Sequence, residues 1–317
     1  MKHRLEYALV VTLRAATRVA PWAVVRAAGR LLGRLFYAVD RRRRTITIDN
    51  LARAFPSRPP RQHRAIARRV FAHFGRLLFD ILKFSTLSPD RMLARVEFEG
   101  EEHVRRAQAL GGGYLLFTGH FGFWELNGLV HALRLGPIGV LARPLDNPLL
   151  NNLLERVRQA TGNTVIYRRG AIRRVMRTLQ GNDGVALLFD QHTHMPDAIC
   201  LDFFDRRAAT TPSLALLASR TKAPVIPVFS VPLARGRYRL IYEHPVAPPA
   251  DESPEAIRAF MQRCTDVLEM YVRRHPDLWL WMHRRWRDTE PRDGSPAPAD
   301  DAPPLPGDVD VDVDGGE

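Results

Sequence analysis

From about residue 95 onward, short runs of consecutive apolar residues alternate with stretches whose apolar positions recur at helical spacing. The runs predict strands at 96–99, 113–118, 138–142, 164–167, 185–189, 225–230 and 238–243. Helices fit between them at 101–110, 124–134, 148–161, 170–180 and 212–221, with another at 253–274. YLLFT, VALLF and VIPVF are apolar on successive positions, as strands of a parallel sheet covered on both faces are. The alternation predicts an α/β fold with a mainly parallel central sheet flanked by helices. Ahead of it, residues 61–87 place Ile66, Val70, Phe71, Phe74, Leu77, Leu78, Ile81 and Leu82 at helical spacing, and Ser88-Pro89 ends the run. No internal repeat is visible.

The first forty residues have a different texture. Apolar positions are interrupted by Arg14, Arg18, Arg26, Arg30 and Arg34, so no uncharged run approaches the roughly 20 residues that span a bilayer. Arg26, Arg30 and Arg34 share one helical face, with Trp22, Leu31, Leu32, Leu35 and Phe36 largely elsewhere, and Pro21 divides the segment into two helices. A basic amphipathic helix with Trp and Phe fits a membrane interface; a helix packed on its own domain has the same pattern. The expected organisation is therefore 1–40 as membrane-associating helices, 41–288 as the globular domain, and 289–317 as a disordered tail rich in Pro, Asp and Gly. RRRRTITIDNLARAFPSRPP, at the start of the domain, reads as a basic cluster, a short helix and a break at Pro56.

Charge sharpens this division. The whole chain carries +13, but residues 288–317 hold ten acids and one arginine, a net −9, which leaves +22 for residues 1–287. Lysine occurs only at 2, 83 and 222, so arginine supplies nearly all the positive charge, and its fork pairs bidentately with phosphate or carboxylate. Such a surface suits anionic headgroups, phosphorylated substrates, an acidic protein or nucleic acid. Cys200 and Cys264 form no disulfide framework and no metal spacing. His192 and His194, in DQHTHMPD with Asp190 and Asp197, read as loop residues, and no metal site is expected.

Chemistry concentrates in GGGYLLFTGHFGFWEL, residues 111–126. In open α/β sheets functional groups gather where strands give way to helices. His120 follows the strand YLLFT and Glu125 opens the helix WELNGLVHAL. Five residues on a continuous helix lie about 140° apart, so the two side chains converge only if the chain turns at Gly119 and Gly122. The expectation is that His120 acts as general base on a hydroxyl while Glu125 binds its other ring nitrogen. Amides at the helix start are placed to stabilise an oxyanion. No nucleophile elbow of the G-x-S-x-G kind is present, so no covalent acyl-enzyme is expected.

DNLARAFPS, FTGHFGFWEL, LARPLDNPLLNNLLERVR, YRRGAIRRVMRTLQGNDGVALLFDQ, FFDRRAATTPSLALLASRTKAPVIPVF and DLWLWMHRRWR occur in that order. Together they resemble the bacterial lipid A late acyltransferases, within the lysophospholipid acyltransferase group, from about residue 35 to 287. The resemblance implies a glycerolipid acyltransferase-like fold and transfer of a fatty acyl chain from acyl carrier protein, or acyl-CoA, to a lipid hydroxyl. It implies no cofactor. It puts the family's His-x4-acid motif on His120 and Glu125, and substrate binding on Arg143, Asn147, Arg168, Arg169, Asp190 and Gln191. The expected partners are acyl carrier protein, a membrane lipid acceptor and the cytoplasmic face of the inner membrane. The family's more continuous apolar anchor is missing here, which points to monotopic attachment rather than a span.

On the residues alone, Arg143, Arg168 and Arg169 follow predicted strands, where guanidinium groups can meet phosphates; a solvated surface role for the last two stays open. Asp190 ends VALLF, where it can orient an arginine or anchor a loop. Thr210, Thr211 and Pro212 read mainly as a loop and helix cap. Trp279, Trp281 and Trp286 among arginines fit a membrane interface better than base stacking, so no nucleic-acid partner is expected. Other lipid acceptors, such as a lysophospholipid, an ornithine lipid or another glycolipid, stay open. So does a non-catalytic basic protein that binds membrane or nucleic acid.

Overall fold

The computed structural model describes residues 1–167, 170–194, 198–287 and 289. The acidic tail expected from residue 289 therefore lies outside the described residues apart from Thr289. The chain runs α1 (Lys2–Val19), α2 (Trp22–Val39), α3 (Arg41–Ala54), α4 (Pro60–Phe84), α5 (Pro89–Leu93), β1 (Val96–Glu99), α6 (Glu101–Leu110) and β2 (Tyr114–Thr118). It continues through α7 (Trp124–Leu135), β3 (Ile138–Ala142), α8 (Pro148–Gln159), β4 (Thr164–Tyr167), α9 (Ala171–Gln180) and β5 (Gly184–Leu188). The last part comprises β6 (Ile199–Phe203), β7 (Arg206–Thr210), α10 (Ser213–Thr221), β8 (Val225–Pro232), β9 (Tyr238–Tyr242) and α11 (Pro254–Arg274).

Seven strands form one sheet in the order β1-β9-β8-β2-β5-β3-β4. Every neighbouring pair is parallel except β8 with β9. This is the mainly parallel α/β architecture the apolar runs predict. One face carries Leu115, Phe117, Val185 and Leu187 against Leu214, Ala218, Phe260 and Cys264 of α10 and α11. The other carries Tyr114, Leu116, Ile138 and Val228 against Leu77, Phe84, Leu126 and Val130 of α4 and α7. Both cysteines are free thiols.

Two features depart from the pattern reading. β6 and β7 form an antiparallel hairpin, Phe203 opposite Arg206, outside the seven-stranded sheet. Its two-residue turn, Phe204-Asp205, has φ of 55° and 58°, as a type I′ turn requires. Sequence favours Asn-Gly there, so the turn carried no signal. Secondly, α3 begins within the basic cluster itself, with Asp40 accepting from the Arg43 amide at 2.9 Å as N-cap.

The N-terminal helices separate at Pro21 as expected and pack closely on the sheet domain's α4. Val25, Gly29 and Gly33 form the buried stripe of α2. A Cβ on Gly33 would stand 2.1 Å from the Phe71 carbonyl oxygen, and one on Gly75 2.4 Å from that of Gly29, so the two backbones meet directly. Buried Lys83 donates to the carbonyls of Thr17, Arg18 and Ala20 where α1 ends. The outward faces combine exposed arginines, Arg4, Arg18, Arg30 and Arg34, with large apolar side chains. Nine of the fourteen exposed large apolar side chains among the described residues lie on α1 and α2, including Leu5, Leu9, Leu31, Leu35 and Phe36. Among the described residues no helix is long and apolar enough to cross a membrane.

Candidate active site

His120 stands just beyond the carboxyl end of β2. The sheet register sets its partner: Thr118 pairs with Leu188 of β5, so two residues further on His120 faces Asp190. One carboxylate oxygen of Asp190 accepts from the His120 Nδ1–H at 2.8 Å. The other accepts from the His120 amide at 2.7 Å and from the Trp279 indole N–H at 2.8 Å. Asp190 is buried, which pushes its carboxyl pKa up, but the facing His120 ring and these donors outweigh burial and hold it at about 2. A carboxylate on Nδ1 fixes the neutral tautomer and leaves the Nε2 lone pair to accept a proton. The Gln191 amide nitrogen lies 3.5 Å from Nε2 at the exposed edge.

The turn is built for this arrangement. At Gly119 a Cβ would lie 2.8 Å from the Asp190 carboxylate, which therefore reaches the His120 amide only past a glycine. Gly122 has φ of 61°, and a Cβ there would sit 1.8 Å from the Ser230 carbonyl oxygen. The segment after α11 clamps the turn from above: Gly122 donates to Leu278 O at 2.9 Å and Leu280 to His120 O at 3.1 Å. From below, His73 meets the Gly122 carbonyl through Nε2 at 3.1 Å. Burial, and the cationic Arg76 beside it, lower the His73 pKa to about 3 against the pull of that carbonyl, so its ring is neutral.

Glu125 does not hold the second ring nitrogen of His120, contrary to the spacing-based expectation. It opens α7 and turns to Arg158 of α8, accepting from Nη2 at 2.5 Å and Nε at 2.9 Å in a bidentate, half-buried pair. Burial alone would lower the Arg158 pKa; the bonds to Glu125 outweigh it and raise it. The physical reason is the register, which supplies a nearer carboxylate from β5. Asn147 departs as well. Its side chain caps α8 by accepting from Leu149 and Leu150, and donates to His3 O and Glu6, so it ties α1 to α8 rather than facing the site. Arg143 follows β3 and lines the same cavity as His120 and Gln191. Arg168 and Arg169 lie outside the described residues, as does Asp197. Among the described residues no cluster of three His, Cys, Asp or Glu could hold a metal.

A cavity of about 810 Å³ opens at His120, Glu125, Arg143, Arg158 and Gln191 and runs under α7, walled by Leu77, Leu116, Val140 and Val228. Its apolar interior and charged mouth suit an amphipathic substrate with its polar end at the histidine. Sequence reasoning missed Arg158 and Trp279 as site residues. Trp279 drew notice only as an interfacial aromatic, yet it is buried against Asp190.

The family described as bacterial lipid A biosynthesis acyltransferase matches residues 2–288. The lipid A biosynthesis lauroyltransferase of Escherichia coli K12 is 29% identical over 270 residues, 84% of this chain and 86% of that protein. The lipid A biosynthesis acyltransferase of Haemophilus influenzae Rd is 26% identical over 243 residues, covering 76% and 75%. A phosphatidylinositol mannoside acyltransferase of Mycobacterium tuberculosis H37Rv is 22% identical over 242 residues, 75% of each. Among solved structures, the 1-acyl-sn-glycerophosphate acyltransferase PlsC of Thermotoga maritima overlays with a TM-score of 0.36 at 18% identity, covering 77% of this chain and 97% of that one, too distant to carry an argument. With the match spanning nearly every described residue, this chain belongs to the bacterial lipid A biosynthesis acyltransferase family and is an acyltransferase with a lipid acceptor.

Proposed function

We propose that this chain moves a fatty acyl group from a thioester of acyl carrier protein, or of CoA, to a hydroxyl of a lipid A precursor, with His120 as general base. The observation that carries this reading is the Asp190-bound Nδ1 of His120, which leaves Nε2 as a base at the mouth of an apolar cavity. The acceptor O–H gives its proton to Nε2 as its oxygen attacks the thioester carbonyl. The tetrahedral intermediate expels the thiolate, which takes the proton back from the imidazolium. Asp190 steadies that cation, and the amino end of α7 offers its positive dipole to the developing oxyanion. The Glu125–Arg158 pair holds a guanidinium at the mouth, where with Arg143 it faces the anionic groups of the acceptor. The +22 carried by residues 1–287 favours an acidic donor protein.

Attachment follows from the exposed apolar side chains of α1 and α2, which continue at the cavity rim through exposed Leu78 and Leu145. These faces lie on the cytoplasmic leaflet of the inner membrane and bring the mouth to its lipid acceptor. The test combines purified protein, radiolabelled acyl donor and lipid A precursor, with products resolved by mass spectrometry. A precursor heavier by one acyl group is expected, with acyl carrier protein the better donor. Transfer to a lysophospholipid but not to the precursor would move the acceptor assignment; no transfer to any lipid would overturn the reading. Flotation with anionic phospholipid vesicles tests attachment. Wild type floats and the Leu31→Glu/Leu35→Glu variant sinks; equal flotation would refute these faces as the anchor.

A further inference from the structure

Four glycines lie inside α-helices among the described residues, and they are not alike. Gly29, Gly33 and Gly75 sit where α2 and α4 touch, and a Cβ on any of them would collide with backbone. Gly128, in the middle of α7, has no such reason to be glycine. Its φ is not positive, and a Cβ there would meet nothing closer than Asn163 Nδ2 at 3.7 Å and Val140 Cγ2 at 3.8 Å. Glycine weakens a helix interior relative to alanine, so its presence on a face with room to spare needs another cause. The space beside it belongs to the cavity that starts at His120.

The cavity's path is legible from its walls. It begins at His120, Arg143 and Gln191, at the carboxyl ends of the strands, and reaches Ile138, the first residue of β3, and Asn163, just before β4. Along α7 it touches Trp124 near the mouth, Gly128 one turn deeper and His131 at the far end. Seven helical residues cover roughly 10 Å of depth. The floor is fixed. The two ring nitrogens of His131, one donating and one accepting, bond the Tyr114 and Tyr242 hydroxyls at 2.8 and 2.9 Å, while Asn163 accepts from the Ile138 amide and donates to the Gly128 carbonyl. His131 and Asn163 thus direct their polar groups to protein partners, and Leu116, Ile138 and Val140 present hydrocarbon, while Thr118 Oγ1 and Asn127 Oδ1 add two buried, unpartnered polar atoms to the same wall.

We infer that the lumen under α7 holds the methyl end of the donor's acyl chain, and that the missing side chain at Gly128 sets the longest chain accepted. This rests on the acyl-transfer reading above. With the thioester carbonyl at His120, the chain must pass Gly128 before reaching His131, so a side chain there shortens the lumen without touching the reacting atoms.

The experiment compares the full-length wild type with Gly128→Ala and Gly128→Leu, using saturated acyl thioesters of graded length on one carrier and a single lipid A precursor. Gly128→Leu is expected to move the preferred length down, the kcat/KM ratio of long to short donors falling about fourfold for each methylene displaced. Gly128→Ala should move it by a smaller step, with a melting temperature no lower than wild type because alanine favours the helix. If Gly128→Leu does not fold, the alanine variant alone carries the test. An equal fall for every donor length, or no change, would overturn the inference. So would a shift that follows the acyl chains of the acceptor instead of the donor. Binding of free fatty acids of graded length is read in parallel by tryptophan fluorescence. A shorter longest-bound chain in the variants supports the lumen even if wild type transfers nothing, a result that would sink only the acyl-transfer reading. Binding unaffected by the variants would sink the lumen.

Discussion

Replacing Asp190 by asparagine tests how the histidine is held. The carboxylate accepts three N–H groups, two on one oxygen and one on the other. An asparagine has one acceptor oxygen and one amino group, so it cannot serve all three. If its amino group faced the His120 amide and the Trp279 indole, two buried donors would be left unpaired, at about 1–3 kcal/mol each. The amide therefore turns its oxygen to those two and its amino group to Nδ1. His120 must then accept at Nδ1 and carry its proton on Nε2, the nitrogen needed as base. Returning to the productive tautomer costs roughly 2–6 kcal/mol, which corresponds to a fall in kcat between about 30-fold and 10⁴-fold. The assay is steady-state transfer at saturating donor and acceptor, with ¹⁵N-histidine NMR to read which nitrogen bears the proton. A kcat within threefold of wild type, or an Nδ1–H tautomer retained in the variant, would refute the reasoning.

Three further outcomes follow from the same structure. Trp279→Phe removes one of the two donors on an Asp190 oxygen, and kcat should fall about tenfold with KM little changed; a KM effect alone would place Trp279 in substrate binding. Gly75→Ala forces a methyl into the α2 backbone and should lower stability by at least about 2 kcal/mol, seen as a drop in melting temperature; an unchanged melt would mean the helices are not in backbone contact. Buried His73 and His131 both have pKa lowered to about 3, mainly by burial, so below pH 6.5 the unfolded chain binds protons that the folded chain does not. Stability should fall as pH drops from 6.5 towards 3, by about 2 kcal/mol per histidine at pH 5, and urea titrations giving equal stability at pH 7 and pH 5 would contradict it.

Much of this was legible in the chain. The pattern marked the seven strands of the main sheet to within two residues, most plainly at β2 and β5, which are apolar on successive positions, whereas the edge strand β1 carries Glu97 and Glu99. The glycines around His120 announced a turn at a strand end, and the turn is there. What spacing could not reveal was strand order. Asp190 is seventy residues from His120, and only the pairing of β2 with β5 makes them neighbours. The carboxylate nearest in sequence, Glu125, therefore drew the role that a distant one fills. Arg158 and Asn147 fail for a related reason. An arginine inside an amphipathic helix has no periodic mark, and an Asn before Pro148 serves equally as a cap or a ligand. The hairpin of β6 and β7 was hidden because Phe204-Asp205 adopts a turn usually built from Asn and Gly.

The most direct test is acyl transfer by the purified full-length chain, wild type beside His120→Ala, from radiolabelled acyl thioester to lipid A precursor. Folding is checked by circular dichroism, and the protein is isolated after the reaction to look for bound label. With His120 as the base, wild type transfers label to the lipid, the variant falls by roughly 10²–10⁴-fold, and no label stays covalently on either protein. A folded His120→Ala variant within tenfold of wild type, or label covalently retained by the enzyme, would contradict it.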